Sequence, residues 1–143
     1  MATLERAIEI AAKSHAGQTD KAGQPYILHP LRVMMSVTSD SEKITAVLHD
    51  VVEDTPWTLE ELATEGFSIN ILEAVEALTK RKGESRIDAA ARARANPISR
   101  AVKIADVTDN MDLRRISNPT DSDMARLKEY EKVMELLLSD EAL

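Results

Sequence analysis

The chain has 143 residues, a mass of 15.8 kDa and a formal net charge of −7, with 25 acidic residues against 18 basic ones. This length suits one domain, because a single hydrophobic core usually serves roughly 100 to 200 residues. The chain has no cysteine and three histidines, so a metal would have to be held by imidazoles and carboxylates. The acidic balance argues against nucleic acid as a primary partner, because phosphate binding needs a basic face.

No segment of the sequence suits a membrane. Its apolar runs do not exceed three residues, whereas a spanning helix needs roughly 18. The first residues, Met1-Ala2-Thr3-Leu4-Glu5-Arg6, lack the basic and then apolar order of a secretory signal. Together with the absence of cysteine, this predicts a soluble, cytoplasmic protein, and association into a homo-oligomer stays open.

The first predicted helix has one apolar face and ends before Gly17. Its apolar residues and one histidine recur at helical spacing: Leu4, Ala7, Ile8, Ala11, Ala12 and His15. Pro30 suits the first position of a second helix over residues 31 to 37. His29 is therefore predicted to cap that helix and to lie at its entrance.

Further helices follow at short intervals. Asp40 or Ser41 can cap a third helix over residues 41 to 53, and Thr58 with Glu61 forms a capping box for a short helix. Periodic or alanine-rich stretches predict helices near residues 71 to 78, 86 to 95, 98 to 115 and 120 to 138. Because alternating strand patterns are absent, the expected fold is an all-α bundle of about eight helices, one domain over residues 1–143.

The predicted third helix carries four ionisable groups on one face, opposite an apolar face of valines and leucine. The four are His49, Asp50, Glu53 and Asp54. Carboxylates crowded on a partly buried helix repel one another and lose hydration, which a divalent cation would offset. The ordinary alternative is a solvated acidic face that binds nothing.

A second acid occupies similar surroundings in the predicted helix over residues 98 to 115. Asp106 shares its face with Asn110, Lys103 and Arg100, and much of the remaining circumference is apolar. The simpler interpretation is a surface ion pair between Asp106 and one of the two cations.

Combining both helices with His29 gives a candidate metal site. A divalent ion accepts two neutral imidazoles and two carboxylates while leaving positions for water and substrate: His29, His49, Asp50 and Asp106. Such an ion lowers the pKa of its bound water by several units, so that hydroxide forms near neutral pH. Glu53 or Asp54 could orient this water or carry a proton.

Charge is distributed unevenly along the chain. Residues 80 to 103 contain eight basic side chains against two acidic ones, a local charge of +6, and the other residues carry −13. A basic segment leading into the Asp106 helix would neutralise a small, phosphate-rich substrate. For Arg86, Arg92 and Arg94, a solvated basic helix is the simpler explanation.

Four motifs spread over most of the chain are specific in combination. They are His15-Ala16-Gly17-Gln18, Gly23-Gln24-Pro25-Tyr26-Ile27-Leu28-His29-Pro30, Leu48-His49-Asp50-Val51-Val52-Glu53-Asp54-Thr55 and Lys103-Ile104-Ala105-Asp106-Val107-Thr108-Asp109-Asn110-Met111. With them the chain resembles the HD-domain hydrolases of the RelA/SpoT type, the stand-alone small alarmone hydrolases. The resemblance implies a helical HD fold with one Mn²⁺ bound through His29, His49, Asp50 and Asp106.

The resemblance also implies an activity. Glu53 and Asp54 match a pair that lies beside the metal water and serves the attack on the 3′-pyrophosphate of guanosine tetra- or pentaphosphate. Diphosphate leaves, GDP or GTP remains, and Lys103 or Arg100 steadies the developing charge. His15 also matches a motif position, but it falls on an apolar helix face and is left out of the metal set.

Three further residues match family positions near the nucleotide. Lys21 corresponds to a phosphate-contacting base in the loop before His29, Asn110 to a residue near the ribose, and Tyr130 to a tyrosine near the nucleoside. Tyr130 is equally suited to the core, because it lies on the apolar face of the last helix.

Departures from the family pattern affect the expected substrate. Asp20 replaces a usual arginine, and Val107 and Asp109 replace a basic residue and a histidine, so positive charge is lost near the nucleotide. Guanine recognition is therefore open, and two alternatives remain. One is an HD phosphohydrolase for another phosphorylated nucleotide or a phosphomonoester, and the other is a non-catalytic module that binds metal and nucleotide.

Overall fold

The computed structural model describes residues 2–139, which form nine α-helices, one short 3₁₀ helix and no strand beyond an isolated β-bridge between Thr19 and Pro25. The α-helices are α1 (Leu4–Ser14), α2 (Leu28–Met35), α3 (Asp40–Leu48), α4 (Val51–Asp54), α5 (Leu59–Glu65), α6 (Ile69–Leu78), α7 (Arg86–Arg94), α8 (Pro97–Asn110) and α9 (Asp121–Leu138). The 3₁₀ helix, Leu113–Arg115, lies between α8 and α9. The predicted all-α class is confirmed.

Helices α3 and α8 occupy the centre of the fold. α3 packs against α1, α2, α6 and α8, and α8 also packs against α2, α6, α7 and α9. The largest apolar cluster joins α1, α3, α5 and α6, and includes Ile10, Val47, Leu48, Leu62 and Val75. A second cluster joins α7, α8 and α9: Ala90, Val107, Val133 and Leu137. Two central helices held from both sides in this way can position polar groups accurately between them.

Seven of the nine α-helices in residues 2–139 begin with a side-chain cap, and α2 and α4 do not. Thr58 caps α5 in the predicted box with Glu61, and the side chain of Thr120 accepts a hydrogen bond at the start of α9. The cap of α3 is Ser39, where the sequence predicted Asp40 or Ser41. Ser39 is preferred because Glu42, three residues later, completes a reciprocal capping box.

The predicted third helix is broken in two. Helix α3 ends at Leu48, and α4 begins at Val51, so His49 and Asp50 lie in a turn rather than on a continuous helix face. The backbone N–H of His49 and its ring Nδ1 both approach the carbonyl oxygen of Ala46, which ends the regular helical bonding at this point. This break accounts for the helix beyond the expected eight.

Two other boundaries differ from the predicted ones. Helix α2 begins at Leu28, so His29 lies inside its first turn and does not cap it. Helix α8 ends at Asn110, because the stretch predicted to continue to residue 115 turns into the 3₁₀ helix. Among residues 2–139, no helix combines the length and apolar character that crossing a bilayer requires.

Candidate metal centre and substrate cleft

Two histidines and two aspartates meet between the central helices. His29 comes from the first turn of α2, His49 and Asp50 from the turn after α3, and Asp106 from α8. The side chains of His29, His49 and Asp106 are buried, and one ligand atom of each lies within 4.8 Å of the others. Burial of this many ionisable groups is costly unless they are paired or bind a metal.

Nε2 of each histidine lies near a carboxylate oxygen of both aspartates, and Asp50 also belongs to a second acidic group with Glu53 and Asp54. Nε2 of His29 lies 2.8 Å from Oδ1 of Asp106 and 3.9 Å from Oδ2 of Asp50. Nε2 of His49 lies 3.0 Å from Oδ2 of Asp50 and 3.4 Å from Oδ1 of Asp106. We refer to these four residues as the His–Asp tetrad. Its two imidazole nitrogens and two carboxylate oxygens form a donor set that divalent ions accept.

The protonation of His49 tests whether the tetrad fits a cation. Its Nδ1 lies 2.5 Å from the carbonyl oxygen of Ala46, which can only accept, so Nδ1 carries the proton. In the neutral form of the ring that binds a metal, Nε2 is then a buried acceptor to which no group in the described part of the chain donates. A lone pair that faces carboxylate oxygens is repelled unless a positive charge lies between them. The residues present therefore fit a divalent metal ion.

The electrostatics of the tetrad favour positive charge at its centre. Burial lowers the pKa of His49, but Asp50 and Asp106 raise it well above its ordinary value. Burial likewise acts to raise the pKa of Asp106, yet Lys103 and the histidines hold it well below its ordinary value. Metal binding to such a site displaces protons from the imidazoles.

Both carboxylates of the tetrad are held by further donors. The hydroxyl of Tyr26 donates a hydrogen bond to Oδ2 of Asp50. The ammonium of Lys103 lies 3.0 Å from Oδ2 of Asp106, and the side-chain amide of Asn110 donates to Oδ1 of Asp106 across 3.2 Å. Because outer donors of this kind fix the orientation of metal-binding carboxylates, the tetrad is organised before any ion arrives.

Glu53 and Asp54 lie beside the tetrad at the mouth of the cleft. Ligand atoms of Asp50, Glu53 and Asp54 lie within 4.8 Å of one another, and Glu53 and Asp54 are exposed. Partial burial and the neighbouring charges of Asp50 and Glu53 raise the pKa of Asp54 to about 6. Glu53 accepts a hydrogen bond from the backbone N–H of Lys80 across 2.7 Å, which orients its carboxylate.

Two adjoining cavities form the cleft. The narrower one, of about 280 Å³, contains the tetrad, Glu53 and Asp54, and three cations line it: Lys80, Arg86 and Lys103. The wider one, of about 390 Å³, extends between the loop before α2 and the start of α9, and Lys21, Arg115 and Arg126 line it. Four residues line both cavities, so the two lie side by side: Tyr26, His29, Asn110 and Tyr130.

The structure does not bring Arg100 to this cleft. Its guanidinium donates to the carbonyl oxygens of Leu137, at 2.8 Å, and Ser139, at 3.1 Å. The sequence placed Arg100 near Asp106 because both lie on α8, but Arg100 is nearly two turns earlier and reaches the end of α9 instead. Lys103, one turn before Asp106, is the cation that contacts it.

Three other arginines of the basic segment separate into two groups. Arg92 binds Glu84 through two bonds of 2.7 Å and the carbonyl oxygen of Thr79, so it stabilises the loop after α6. Arg94 also bonds within the protein. Arg86 faces the cleft, where its guanidinium lies 4.8 Å from the ring centroid of Tyr130.

His15 and Tyr26 support the tetrad from the side. His15 is buried, its Nδ1 lies 2.9 Å from Oε1 of Gln18, and its ring packs against Tyr26 at 5.0 Å. The ring of Tyr26 lies 5.7 Å from that of His29. The contact between Tyr26 and Asp50 was missed by sequence reasoning, although the placement of Tyr26 three residues before His29 in the same motif was a signal for it.

The acidic departures Asp20 and Asp109 both have structural partners. Asp20 accepts hydrogen bonds from two backbone N–H groups in its own loop, and its Oδ2 lies 3.1 Å from Nη1 of Arg115. Asp109 lies 2.6 Å from Nδ1 of His29 and binds Arg32 through two bonds. From the sequence, both were interpreted only as a loss of positive charge near the nucleotide. For Asp109 the available signal was its position one turn after Asp106 on the same helix.

Helical domains with a buried cluster of histidine and aspartate between their central helices form a known class, and this fold has both features. The chain belongs to the HD domain family, whose model matches residues 7–109. A solved structure of a metazoan SpoT ortholog described as hydrolysing ppGpp superposes with a TM-score of 0.78 and 23% identity, over 99% of this chain and 89% of that one. At this identity the likeness establishes the fold.

Curated relatives share a stretch of sequence with this chain. A guanosine-3′,5′-bis(diphosphate) 3′-pyrophosphohydrolase of Aquifex aeolicus is 42% identical over 81 residues, which cover 54% of this chain and 12% of the relative. A probable GTP pyrophosphokinase of Mycobacterium leprae is 36% identical over 135 residues, or 83% of this chain and 17% of the relative. The bifunctional (p)ppGpp synthase/hydrolase SpoT of Escherichia coli is 38% identical over 81 residues, or 54% of this chain and 11% of the relative. The matches thus cover well under a quarter of these relatives' lengths.

Proposed function

We propose that this chain is a Mn²⁺-dependent phosphohydrolase that removes the 3′-diphosphate of guanosine tetra- or pentaphosphate. The observation that carries this proposal is the convergence of four ligand atoms, one from each residue of the His–Asp tetrad, on the floor of a cleft lined by cations. Binding a metal and binding phosphates are thereby combined in one space. This combination is what hydrolysis of a phosphate ester requires.

The tetrad would hold the metal through Nε2 of His29, Nε2 of His49, Oδ2 of Asp50 and Oδ1 of Asp106. The two carboxylates suit Mn²⁺, and the two imidazoles complete a donor set that other divalent transition metals also accept. When bound, a divalent ion supplies Lewis acidity and makes water a better nucleophile near neutral pH. The buried, prearranged donors reduce the reorganisation that metal binding needs.

Asp54 and Glu53 are suited to proton transfer and to water orientation. A pKa of about 6 lets the carboxylate of Asp54 take a proton from an attacking water near neutral pH. Glu53, held by the N–H of Lys80, is suited to orient that water. The water oxygen bonds to the phosphorus nearest the 3′ oxygen, the bond between that phosphorus and the 3′ oxygen breaks, and the 3′ oxygen takes up a proton. The products are GDP or GTP and diphosphate.

The two cavities supply complementary parts of substrate binding. Lys103, Lys80 and Arg86 line the narrow cavity and would balance the charge of the 3′-diphosphate. The wide cavity would take the nucleoside, with Asn110 near the ribose, Tyr130 near the nucleoside and Lys21 at the phosphates. Its volume of about 390 Å³ lies within the range of small-molecule sites.

The names of the relatives support hydrolysis at this site. Two of the three described above are named as a 3′-pyrophosphohydrolase and as a synthase/hydrolase, and the third as a pyrophosphokinase. The family match covers residues 7–109, which contain the whole tetrad together with Glu53 and Asp54.

A second candidate is hydrolysis of a different phosphorylated nucleotide or a phosphomonoester by the same metal site. It is favoured by Asp20, which stands where the family has an arginine and engages Arg115 at 3.1 Å. Arg115 is therefore less available to a base or a phosphate in the wide cavity. The metal chemistry is identical in both candidates, and only the substrate differs.

The test is an assay of metal-stripped protein, with and without Mn²⁺, against guanosine 3′-pyrophosphates, dinucleotides and phosphomonoesters. We expect diphosphate from the guanosine compounds only with Mn²⁺, and a loss of 10²-fold or more in His49→Ala and Glu53→Gln, on the order of one catalytic group. Glu65→Gln is the control, because it breaks an ion pair with Arg6 outside the cleft.

The outcomes separate the candidates. Orthophosphate from other compounds, with no release from guanosine 3′-pyrophosphates, would favour the second candidate. Tight nucleotide binding without any product would indicate a non-catalytic module. A Mn²⁺ stoichiometry that is unchanged in His49→Ala would contradict the metal site in both.

A further inference from the structure

His29 is held between two carboxylates of the same helix. Asp106 lies 2.8 Å from its Nε2, and Asp109, one turn later on α8, lies 2.6 Å from its Nδ1. Asp106 belongs to the tetrad, whereas Asp109 is on the far side of the ring and offers no atom to the metal position. The two nitrogens of the imidazole therefore have different partners: Nε2 faces the metal position and Nδ1 faces Asp109.

We propose that Asp109 is a positioning residue for the metal centre, which holds the proton of His29 on Nδ1 and so directs the Nε2 lone pair at the ion. The inference rests on the proposed metal site. It adds a residue that neither the metal set nor the substrate contacts include.

The carboxylate of Asp109 is itself held in place. Arg32 of α2 donates from Nε across 2.7 Å to one oxygen and from Nη2 across 3.0 Å to the other, a bidentate pair. Arg115 donates to the backbone oxygen of Asp109 across 3.2 Å. Only 14% of the Asp109 side chain is exposed, so these bonds fix the carboxylate with little competition from water.

A fixed acceptor decides which form the imidazole adopts. A neutral histidine carries one proton, and the nitrogen without it is the one that can bind a metal. Both ring nitrogens face a carboxylate, but Asp106 belongs to the metal set, so an ion bound between Nε2 and Asp106 leaves the single proton of neutral His29 on Nδ1, where Asp109 accepts it. A charged acceptor also makes the imidazole a stronger ligand.

The second histidine of the tetrad is oriented in the same sense by a different group. Nδ1 of His49 meets the carbonyl oxygen of Ala46, a neutral acceptor that no side-chain substitution removes. His29 instead depends on a side chain from another helix. Metal affinity is therefore open to change by mutation at Asp109.

A merely structural role for Asp109 would be to hold α2 against α8 through Arg32. Two variants distinguish this role from positioning. Asp109→Asn keeps the shape of the side chain but removes its charge, and Arg32→Ala removes the ion pair between α2 and Asp109 but leaves Asp109 beside His29. Glu65→Gln is again the matched control, because it disrupts a carboxylate–guanidinium pair away from the cleft.

The measurement is the Kd of Mn²⁺ by titration calorimetry, together with the Tm of each metal-free protein. We expect Asp109→Asn to weaken Mn²⁺ binding roughly 10- to 100-fold, the usual effect of losing such an outer partner. Arg32→Ala should weaken it less than Asp109→Asn, while lowering the Tm of the metal-free protein at least as much. Glu65→Gln should leave the Kd unchanged.

A Kd within twofold of the parent in Asp109→Asn would overturn the proposal, and so would an equal loss of affinity in Arg32→Ala. If Asp109→Asn does not fold, the single variants Asp109→Glu and Arg32→Ala are compared instead. Because Asp109→Glu keeps a negative charge, it should bind Mn²⁺ more tightly than Arg32→Ala does. The titration uses Mn²⁺ alone, so an error in the proposed nucleotide does not affect it. Absence of Mn²⁺ binding by the parent would overturn both the metal site and this role.

Discussion

Nδ1 of His49 lies 2.5 Å from the carbonyl oxygen of Ala46, one turn back along the chain. The bond sets the tautomer of His49 with a backbone group, and it coincides with the end of α3. The same turn carries Asp50, so the interruption of the helix brings an imidazole and a carboxylate to one position. The local structure and the candidate metal site therefore have a common cause.

Mn²⁺ should stabilise the folded protein increasingly as its free concentration rises above the Kd of the tetrad. At a free concentration of about 100 times the Kd, binding to the folded state alone adds about 2.7 kcal/mol to the free energy of unfolding. A rise in Tm of roughly 8 °C is expected for a chain of this size. Thermal melts with and without Mn²⁺ measure it. His49→Ala should show almost no rise, and an equal rise in this variant would contradict the site.

Removing the Tyr26 hydroxyl should weaken metal binding without disturbing the fold. Tyr26→Phe keeps the ring contacts with His15 and His29 but loses the bond to Asp50. We expect a loss in Mn²⁺ affinity of about 10-fold, because Asp50 is then less well oriented. Calorimetric titration measures the change. Tyr130→Phe is the control and should leave the affinity for Mn²⁺ alone unaltered.

The raised pKa of Asp54 predicts a pH-dependent effect on stability in the metal-free protein. A carboxyl whose pKa rises from 3.8 to about 6 on folding favours the folded state when it is protonated, and this contribution is lost as the pH rises through 6. At pH 7.5, Asp54→Asn should therefore raise the Tm, by roughly 1–2 °C because water screens the half-exposed group. The difference should shrink below pH 5.

Glu42 provides a control of opposite sign for this experiment. Its pKa is lowered, chiefly by the backbone N–H of Ser39 in the capping box, so its charge stabilises the folded state above its unfolded pKa. Glu42→Gln should lower the Tm at pH 7.5. If both variants shifted the Tm in the same direction, the difference assigned to the two environments would be wrong.

Substitution of Arg100 should affect stability rather than catalysis. Arg100→Ala removes two donors from carbonyl oxygens at the end of α9, which should cost about 1–2 kcal/mol and lower the Tm by roughly 3–6 °C. The kcat and KM for the proposed substrate should stay within about twofold of the parent. Lys103→Met, next to Asp106, should instead reduce turnover strongly. A tenfold loss of kcat in Arg100→Ala at an unchanged Tm would return Arg100 to the substrate site.

The predicted boundaries were most accurate where the governing interactions are local. The capping box of Thr58 and Glu61 and the helix beginning after Thr120 depend on residues three apart, and the structure has both. The cap at Ser39 and the break at His49 were missed. The break depends on the His49 ring, which competes with backbone N–H groups for the carbonyl oxygen of Ala46. The spacing of apolar residues does not reveal this competition.

The candidate site shows the same division. The residue types of the tetrad could be proposed from the sequence because buried acids and histidines need a cation, and the motifs they belong to are specific. The partners of the tetrad could not, since Tyr26, Asp109 and Arg32 lie on different segments or were interpreted by charge alone. Arg100 was wrongly predicted to lie near Asp106. It is on the same helix as Asp106, but its side chain extends to the end of α9 and not into the cleft.

The amino-acid sequence by itself determined the all-helical class, the helix starts with clear caps and the chemical nature of the ligands, because each follows from short-range periodicity and composition. Only the tertiary structure decided which nitrogen of each histidine faces the metal position and which cation contacts Asp106. It also decided that Asp20 and Asp109 are paired with Arg115 and Arg32. These are matters of distance between helices that lie far apart in the chain, and they depend on the packing of α2, α3, α8 and α9 around one another.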